Sequence, residues 1–412
     1  MMMINTTKIY LCAKIHIPVI LRNFRFFEIN NSNSDYHDKS IDYLVKKLCQ
    51  DNLLPFFETI RNLTIESDFR FKAGVSISGI ALKLLQNIAP HVIKVLEGLK
   101  KLNCIEFLSE PWSHSMIAFA NEETLERQIN LHDETIHYLF GSIPDVFILH
   151  SPVCPEKIIN TILNYGKKAV FANSNHIGQE KIKQNENKNN SPRSSERIYL
   201  IHHILSQILQ DMDPNAKGQQ LTDFASFVLN NIKIHSEDSN LLIFIYNPAQ
   251  IKSPFNEHLA AAWKMIMNQI LSKPEYKFCA PSEISKTVRP LLIKHKLTAK
   301  EGRPIKLPTD LWHKNVLQKH ALQQQFIINK AIKDCCRSSL VEEWNLIQDM
   351  ENLYYMNNQF FSEEYHKTHF NPFNSPYLAY TNYMNILADF ASRLKNKSHP
   401  VNSQVLSHNE FA

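Results

Sequence analysis

Residues 8–17 read KIYLCAKIHI, and Pro18 closes the run. Its β-branched and aromatic side chains mark it as a strand. Six further runs share that character: FRFKAGVSIS at 69–78, CIEFLS at 104–109, DVFILH at 145–150, KAVFA at 168–172, LLIFIY at 241–246 and YKFCA at 276–280. Stretches of helical periodicity separate them. Residues 42–50 and 53–62 follow the first strand, 80–102 keeps helical spacing around Pro90, and 122–140 opens behind Asn121 with its acids early, as a helix dipole favours. Seven strands alternating with helices predict an α/β fold with a parallel sheet, open or closed into a barrel. After Pro308 the strands stop, and 312–355 and 376–395 read as a helical region packed on the barrel.

The chain of 412 residues holds 45 Lys and Arg against 40 Asp and Glu, a formal charge of +5. Both signs are interspersed without a basic stripe, so no nucleic-acid partner is expected. Seven cysteines without a C-x-x-C suit a reducing cytoplasm. No run approaches the roughly 18 apolar residues of a membrane span, and Lys8, Lys14 and His16 break up the start as a signal-peptide core. The reading is a cytoplasmic protein without a membrane partner. Glycine is scarce, with eight residues in the whole chain. No G-x-G-x-x-G occurs, and Gly74 and Gly79 have P-loop spacing but run on into Ile80 and Ala81, where Lys and Ser or Thr are required. No cofactor is expected. No metal is expected either, since His202 and His203 lack an H-E-x-x-H or a matching carboxylate spacing.

In a β/α barrel the carboxyl ends of the strands open onto the active face. The residues standing there are His16 and Pro18, Ser78, Glu106 and the following Glu110-Pro-Trp-Ser-His114, His150 and Ser151, residues 173–176, and Tyr246 to Pro248. Carboxylates, histidines and an aromatic ring in one place suit a sugar, whose hydroxyls need polar partners and whose ring face needs an apolar one.

Four stretches carry a likeness: 8–29 (KIYLCAKIHIPVILRNFRFFEI), 75–82 (VSISGIAL), 103–116 (NCIEFLSEPWSHSM) and 354–390 (YYMNNQFFSEEYHKTHFNPFNSPYLAYTNYMNILADF). Over residues 8–394 the chain resembles glycoside hydrolase family 57, the α-amylase-like enzymes acting on α-glucans. The resemblance implies an incomplete (β/α)7 TIM-like barrel, here 1–307, followed by a C-terminal α-helical region, here 308–396. The low complexity of 173–197 reads as a polar, mobile insertion in the barrel, and the polar residues 397–412 read as a flexible tail. An α-glucan or maltooligosaccharide would be the partner. The implied mechanism is retaining, with two carboxylates about 5–5.5 Å apart.

The family's motifs are matched unevenly. His-x-Pro is present as His16-Ile17-Pro18. The second motif keeps Glu106, with Asn103 in place of its glycine, and Trp112, Ser113 and His114 follow it. The resemblance makes His16, Glu106, Trp112 and His114 substrate contacts, although Glu106 reads equally as a structural acid and Trp112 as a packing residue. The nucleophilic glutamate of the third motif falls on Ser151. The acid/base aspartate of the fourth falls on Tyr246, and the supporting glutamate beside it on Pro248. A serine hydroxyl cannot both attack a glycosyl carbon and leave from it as a carboxylate does. Tyrosine, with a pKa of about 10, is a poor proton donor. No catalytic position is intact, and a pseudoenzyme of α-glucan metabolism is expected. Two alternatives stand: an active enzyme with relocated carboxylates such as Glu106, Glu110 or Glu156, and an interaction scaffold without sugar affinity. Further family glycines are replaced at Ile251 and Glu364, and the usual tryptophan by Phe360.

Overall fold

The computed structural model describes residues 6–31, 35–119, 121–150, 156–173, 197–213, 215–238, 241–250, 254–286, 314–333, 335, 337–357 and 371–396. Most of the 173–197 insertion, the 307/308 boundary and the tail at 397–412 lie outside these residues.

Seven parallel strands close into a ring. They are β1 (Thr7–Ile15), β2 (Ala73–Ile77), β3 (Ile105–Phe107), β4 (Val146–Leu149), β5 (Ala169–Asn173), β6 (Ile198–Ile201) and β7 (Leu241–Tyr246). One sheet runs β3-β2-β1-β7 and another β4-β5-β6. Two seams join them. Ser109, just past β3, bonds Val146 and Ile148 of β4 at 2.8 Å each, and His202, just past β6, donates from its backbone N to Ile243 of β7 at 2.7 Å. The run at 276–280 forms β8 (Tyr276–Phe278), which pairs only with the start of β1, Thr7 to Ile9, below the part of β1 that β2 covers. The barrel is thus the expected (β/α)7 type, but its members differ from the seven runs read from sequence. β8 stands beside the ring, and β6, four residues emerging from a polar stretch, completes it.

Side-chain alternation gives each strand an inner and an outer face. Tyr10, Cys12, Leu108, Ile148, Phe171 and Ile243 fill the barrel. Ile9, Leu11, Ala13, Phe244 and Tyr246 point the other way, into the core shared with the helices. Gly74 faces inward, where a Cβ would come within 2.9 Å of Pro281 and 3.0 Å of Cys12 Sγ. Its bareness lets the segment after β8 close the lower end of the barrel.

The helices of the barrel layer are α1 (Asp42–Leu48), α2 (Leu54–Glu66), α3 (Gly79–Ile88), α4 (Pro90–Lys101), α5 (Glu122–Phe140), α6 (Glu156–Asn164), α7 (His203–Gln210), α8 (Gln219–Asp238) and α9 (Glu257–Leu271). The single helix read over 80–102 is two, broken at Ala89, because Pro90 has no N–H to continue the ladder and disfavours helical backbone before it. Asn121 caps α5 as expected, accepting from Thr124 N, and Gly141 ends it with φ +70°. The C-terminal region contains α10 (Val316–Ile332), α11 (Ser338–Ile347), α12 (Glu351–Tyr354) and α13 (Pro376–Asn396). Its apolar residues belong to the same core as β1, β2 and β7. Among the described residues no helix is long and apolar enough to cross a membrane.

Candidate functional site

Inward alternation along β1 continues from Cys12 to Lys14 and His16, so a cation and an imidazole top the barrel. On β2 the matching inner positions are Ser76, paired in register with Lys14, and Ser78, the N-cap of α3. The Ser76 hydroxyl donates to Glu110 Oε1 at 2.7 Å and lies 2.8 Å from His150 Nε2. A hydroxyl has one proton, so with that proton on Glu110 it is His150 Nε2–H that donates to Ser76. Glu110 Oε2 is 3.8 Å from His114 Nδ1 and 3.9 Å from His150 Nε2.

His16 stands at the centre. Its Nδ1 is 2.8 Å from Ser78 Oγ, its Nε2 is 3.1 Å from Asp349 Oδ2, and its ring stacks on His114 with centroids 3.9 Å apart. His114 has φ +47°, a left-handed conformation costly for a side chain of that size. Two contacts hold it there: its N donates to Pro111 O, and its carbonyl accepts from Met350 N at 3.2 Å. Met350 is the corner between α11 and α12, and Asp349 and Glu351 flank it. Asp349 Oδ1 accepts from Glu351 N at 3.1 Å, which orients the Asp349 carboxylate.

All of this is shielded from water: Asp349 is 0 % exposed, Glu110 1 %, His16 3 % and Glu351 8 %. Burial pushes the Glu110 carboxyl up to about 7 against the favourable Ser76 bond. Burial, helped by Asp349, likewise takes Glu351 up to about 7. Burial lowers Lys14 despite the three nearby carboxylates, and it holds His114 and His150 well below the ordinary imidazole value, with the neighbouring positive groups adding to the effect. Burial also opposes charge on His16, but Asp349 and Glu351 together outweigh it and raise its pKa. The cluster thus favours protons on Glu110, Glu351 and His16 and lone pairs on His114 and His150, a donor and acceptor array suited to hydroxyl groups.

Of the four expected contacts, the fold gathers His16 and His114 and leaves the other two apart. Glu106 sits one layer deeper, level with Gly74 and Cys12, and its Oε2 accepts from Ser282 N at 3.1 Å. Trp112 is a packing residue. Its ring lies so close to Gly79 that a Cβ there would fall 2.1 Å from it, and its Nε1 donates to Thr135 Oγ1 at 3.1 Å. Tyr246 lies on the outer face of β7, its ring 4.5 Å from Trp263 and 5.4 Å from Phe56, and burial there raises its pKa further. Pro248 opens a short 3-10 turn, and its carbonyl accepts from Asn52 Nδ2. Ser151, Ile251, Phe360, Glu364 and the side chain of Glu156 lie outside the described residues. Lys14, Asp349 and Glu351 were not singled out from the sequence. Alternation along β1 carried the signal for Lys14; for the two acids no local signal exists. Among the described residues, His16, His114 and Glu351 form the one group of metal-ligating type, with ligand atoms within 4.8 Å of one another.

A closed ring of seven parallel strands, a helical region behind it and a polar cluster on the carboxyl ends define a β/α-barrel protein with its site where barrel enzymes carry theirs. Residues 10–290 match Glycosyl hydrolase family 57, and the chain belongs to that family. It is 22% identical over 403 aligned positions to the "Putative alpha-amylase" of Methanocaldococcus jannaschii, covering 89% of this chain and 81% of that protein. Its fold is similar to the 4-alpha-glucanotransferase of Thermococcus litoralis, with TM-score 0.62, 12% identity and coverage of 93% of this chain and 59% of that one. It is also similar to the GH57-type branching enzyme of Pyrococcus horikoshii (TM-score 0.60, 9% identity, 95% and 91% covered) and the alpha-amylase AmyC of Thermotoga maritima (0.56, 9%, 94% and 94%). The chain spans less than two thirds of the glucanotransferase. At such identities the structural likeness is one of fold.

Proposed function

We propose that the protein binds α-glucan or maltooligosaccharide at the strand ends without cleaving it by the family's two-carboxylate route. The observation that carries this reading is the end of β7. The side chain aligned with the family's proton donor, Tyr246, is a phenol turned outward among Phe56, Phe255 and Trp263. From that side of the strand it offers no proton to a glycosidic oxygen, and an unprotonated sugar alkoxide is a poor leaving group. His16 and His114 are the proposed sugar contacts.

Calorimetry with maltoheptaose, paired with a reducing-end assay after long incubation, tests it. Saturable binding in the micromolar to millimolar range with no new reducing ends is expected. Reducing ends above a blank would overturn it. A second reading has one observation in its favour: of Glu106 and Glu110, only Glu110 is placed in the cluster, 2.7 Å from Ser76 Oγ. Under that reading Glu110 serves as a relocated acid, and turnover would be present and lost in Glu110→Gln.

A further inference from the structure

We propose that His16, His114 and Glu351, with Asp349, form a binding site for one divalent transition-metal ion, with zinc the best match to these donors. It is the alternative to direct sugar contact by His16 and His114, whose donor nitrogens the ion would take, and it does not depend on a glucan binding elsewhere at the strand ends. It begins with two buried atoms that face each other. His16 Nε2 and Asp349 Oδ2 are 3.1 Å apart, both are closed off from solvent, and neither makes a hydrogen bond of acceptable geometry. The other ring nitrogen of His16 is engaged with Ser78 Oγ.

As an imidazolium, which its raised pKa favours, His16 balances the Asp349 carboxylate by charge. As a neutral ring with its lone pair toward Asp349 it repels that oxygen unless a cation lies between them. A shared proton must sit near the line joining the two atoms, and the ring N–H does not point along it. A metal ion sits off that line. Bonded to each ligand at about 2.1 Å, with an angle of roughly 90–109° between them, it holds the two about 3.0–3.4 Å apart. The observed separation falls inside that interval.

The remaining donors converge on the same place. Ligand atoms of His16, His114 and Glu351 lie within 4.8 Å of one another, although they come from β1, the loop after β3 and the α11–α12 corner. A tetrahedral zinc ion holds its ligand atoms about 3.4 Å apart, so binding asks for a contraction of somewhat more than an ångström and for the His16 and His114 rings, which stack at 24°, to turn until their in-plane lone pairs meet at the ion. Behind the ligands, Ser78 holds the far nitrogen of His16, and the Glu110 carboxylate lies 3.8 Å from His114 Nδ1, beyond hydrogen-bond reach. Lys14, on the same face of β1, is the rival cation.

The test uses the full-length protein, stripped with a chelator, titrated with Zn2+ by calorimetry and counted by elemental analysis after desalting. One equivalent per chain is expected, with affinity at least tenfold weaker in both His114→Ala and Glu351→Gln. His235→Ala serves as control, because the His202–His235 ring pair, 4.0 Å apart, is the other place where two imidazoles meet. Glu351→Gln keeps the shape of the side chain, so it decides the matter together with the wild-type stoichiometry if His114→Ala fails to fold. Absence of saturable Zn2+ binding would overturn the proposal, leaving Lys14 as the balancing charge. So would binding that survives Glu351→Gln and is lost in His235→Ala.

Discussion

His132 on α5 is wholly buried and places Nε2 2.9 Å from the carbonyl of Ile77 at the end of β2. The nitrogen donates there, so the neutral ring fits, and burial pushes its pKa down to about 4; Asp133 and Lys167, themselves an ion pair, are its charged neighbours. Between that value and about 6.5 the unfolded chain binds a proton that the folded one refuses, so stability rises with pH across this window. Acidification from pH 7 to 4 should therefore remove up to about 3 kcal/mol through this residue alone. Urea titrations at several pH values check it. His132→Leu should lose this part of the acid slope while costing about 1 kcal/mol at pH 7, because the Ile77 carbonyl is left unpaired. An unchanged slope would refute the assignment. At this scale the sequence was legible where a residue's role is local. Asn103 stands in for a family glycine and keeps φ +55°, a conformation asparagine tolerates. Alignment with the family's motif puts Tyr246 in the proton donor's place, but its outward direction follows from strand alternation only once the partners of β7 are known.

At the scale of elements, α13 acts as a clamp on the chain that follows His16. Asp389, 0 % exposed, accepts from Asn30 N at 2.8 Å and from Tyr36 Oη at 2.6 Å. Two turns earlier, Asn382 accepts from Phe24 N and donates to Arg22 O. Arg393 then makes a two-pronged bond to Glu343 of α11, both arms at 2.7 Å. Asp389→Ala leaves the buried Tyr36 hydroxyl proton and the part-buried Asn30 N–H without their acceptor, so a loss of about 2 kcal/mol in chemical denaturation is expected. Asp389→Asn, which keeps an oxygen for one of them, should cost less. Equal costs would mean the carboxylate's second bond contributes nothing. None of this clamp is visible locally, since the partners of Asn382 and Asp389 are more than 350 positions away and Glu343 is 50 from Arg393. The strands show the same limit: β6 has four residues and follows a polar run, so length and composition hid it, while the long runs at β1 and β7 announced themselves.

Across the whole molecule the barrel and the C-terminal helices share one contiguous apolar core, from Ile9 and Phe244 to Trp344, Tyr383 and Phe390. The candidate site repeats this arrangement in polar form. Asn345 of α11 accepts from Gln128 of α5 at 3.0 Å, and Asp349 and Glu351 complete a cluster whose other members sit on barrel strands and loops. The two acids thus became part of the site only through the packing of one region on the other, which explains why reading strand ends alone found His16 and His114 and missed them. A shared core should unfold as one unit. Trp344 is 0 % exposed among the C-terminal helices and Trp263 is 0 % exposed in the barrel layer, so each reports on its own region. In a background where the other two tryptophans, Trp112 and Trp312, are replaced by phenylalanine, fluorescence of the Trp344→Phe and Trp263→Phe proteins in guanidinium should each be fitted by a single transition. Both should show the same slope as circular dichroism of the same variant. A separate early transition in the protein that retains Trp344, absent from the protein that retains Trp263, would instead show that the helical region melts off a barrel stable without it.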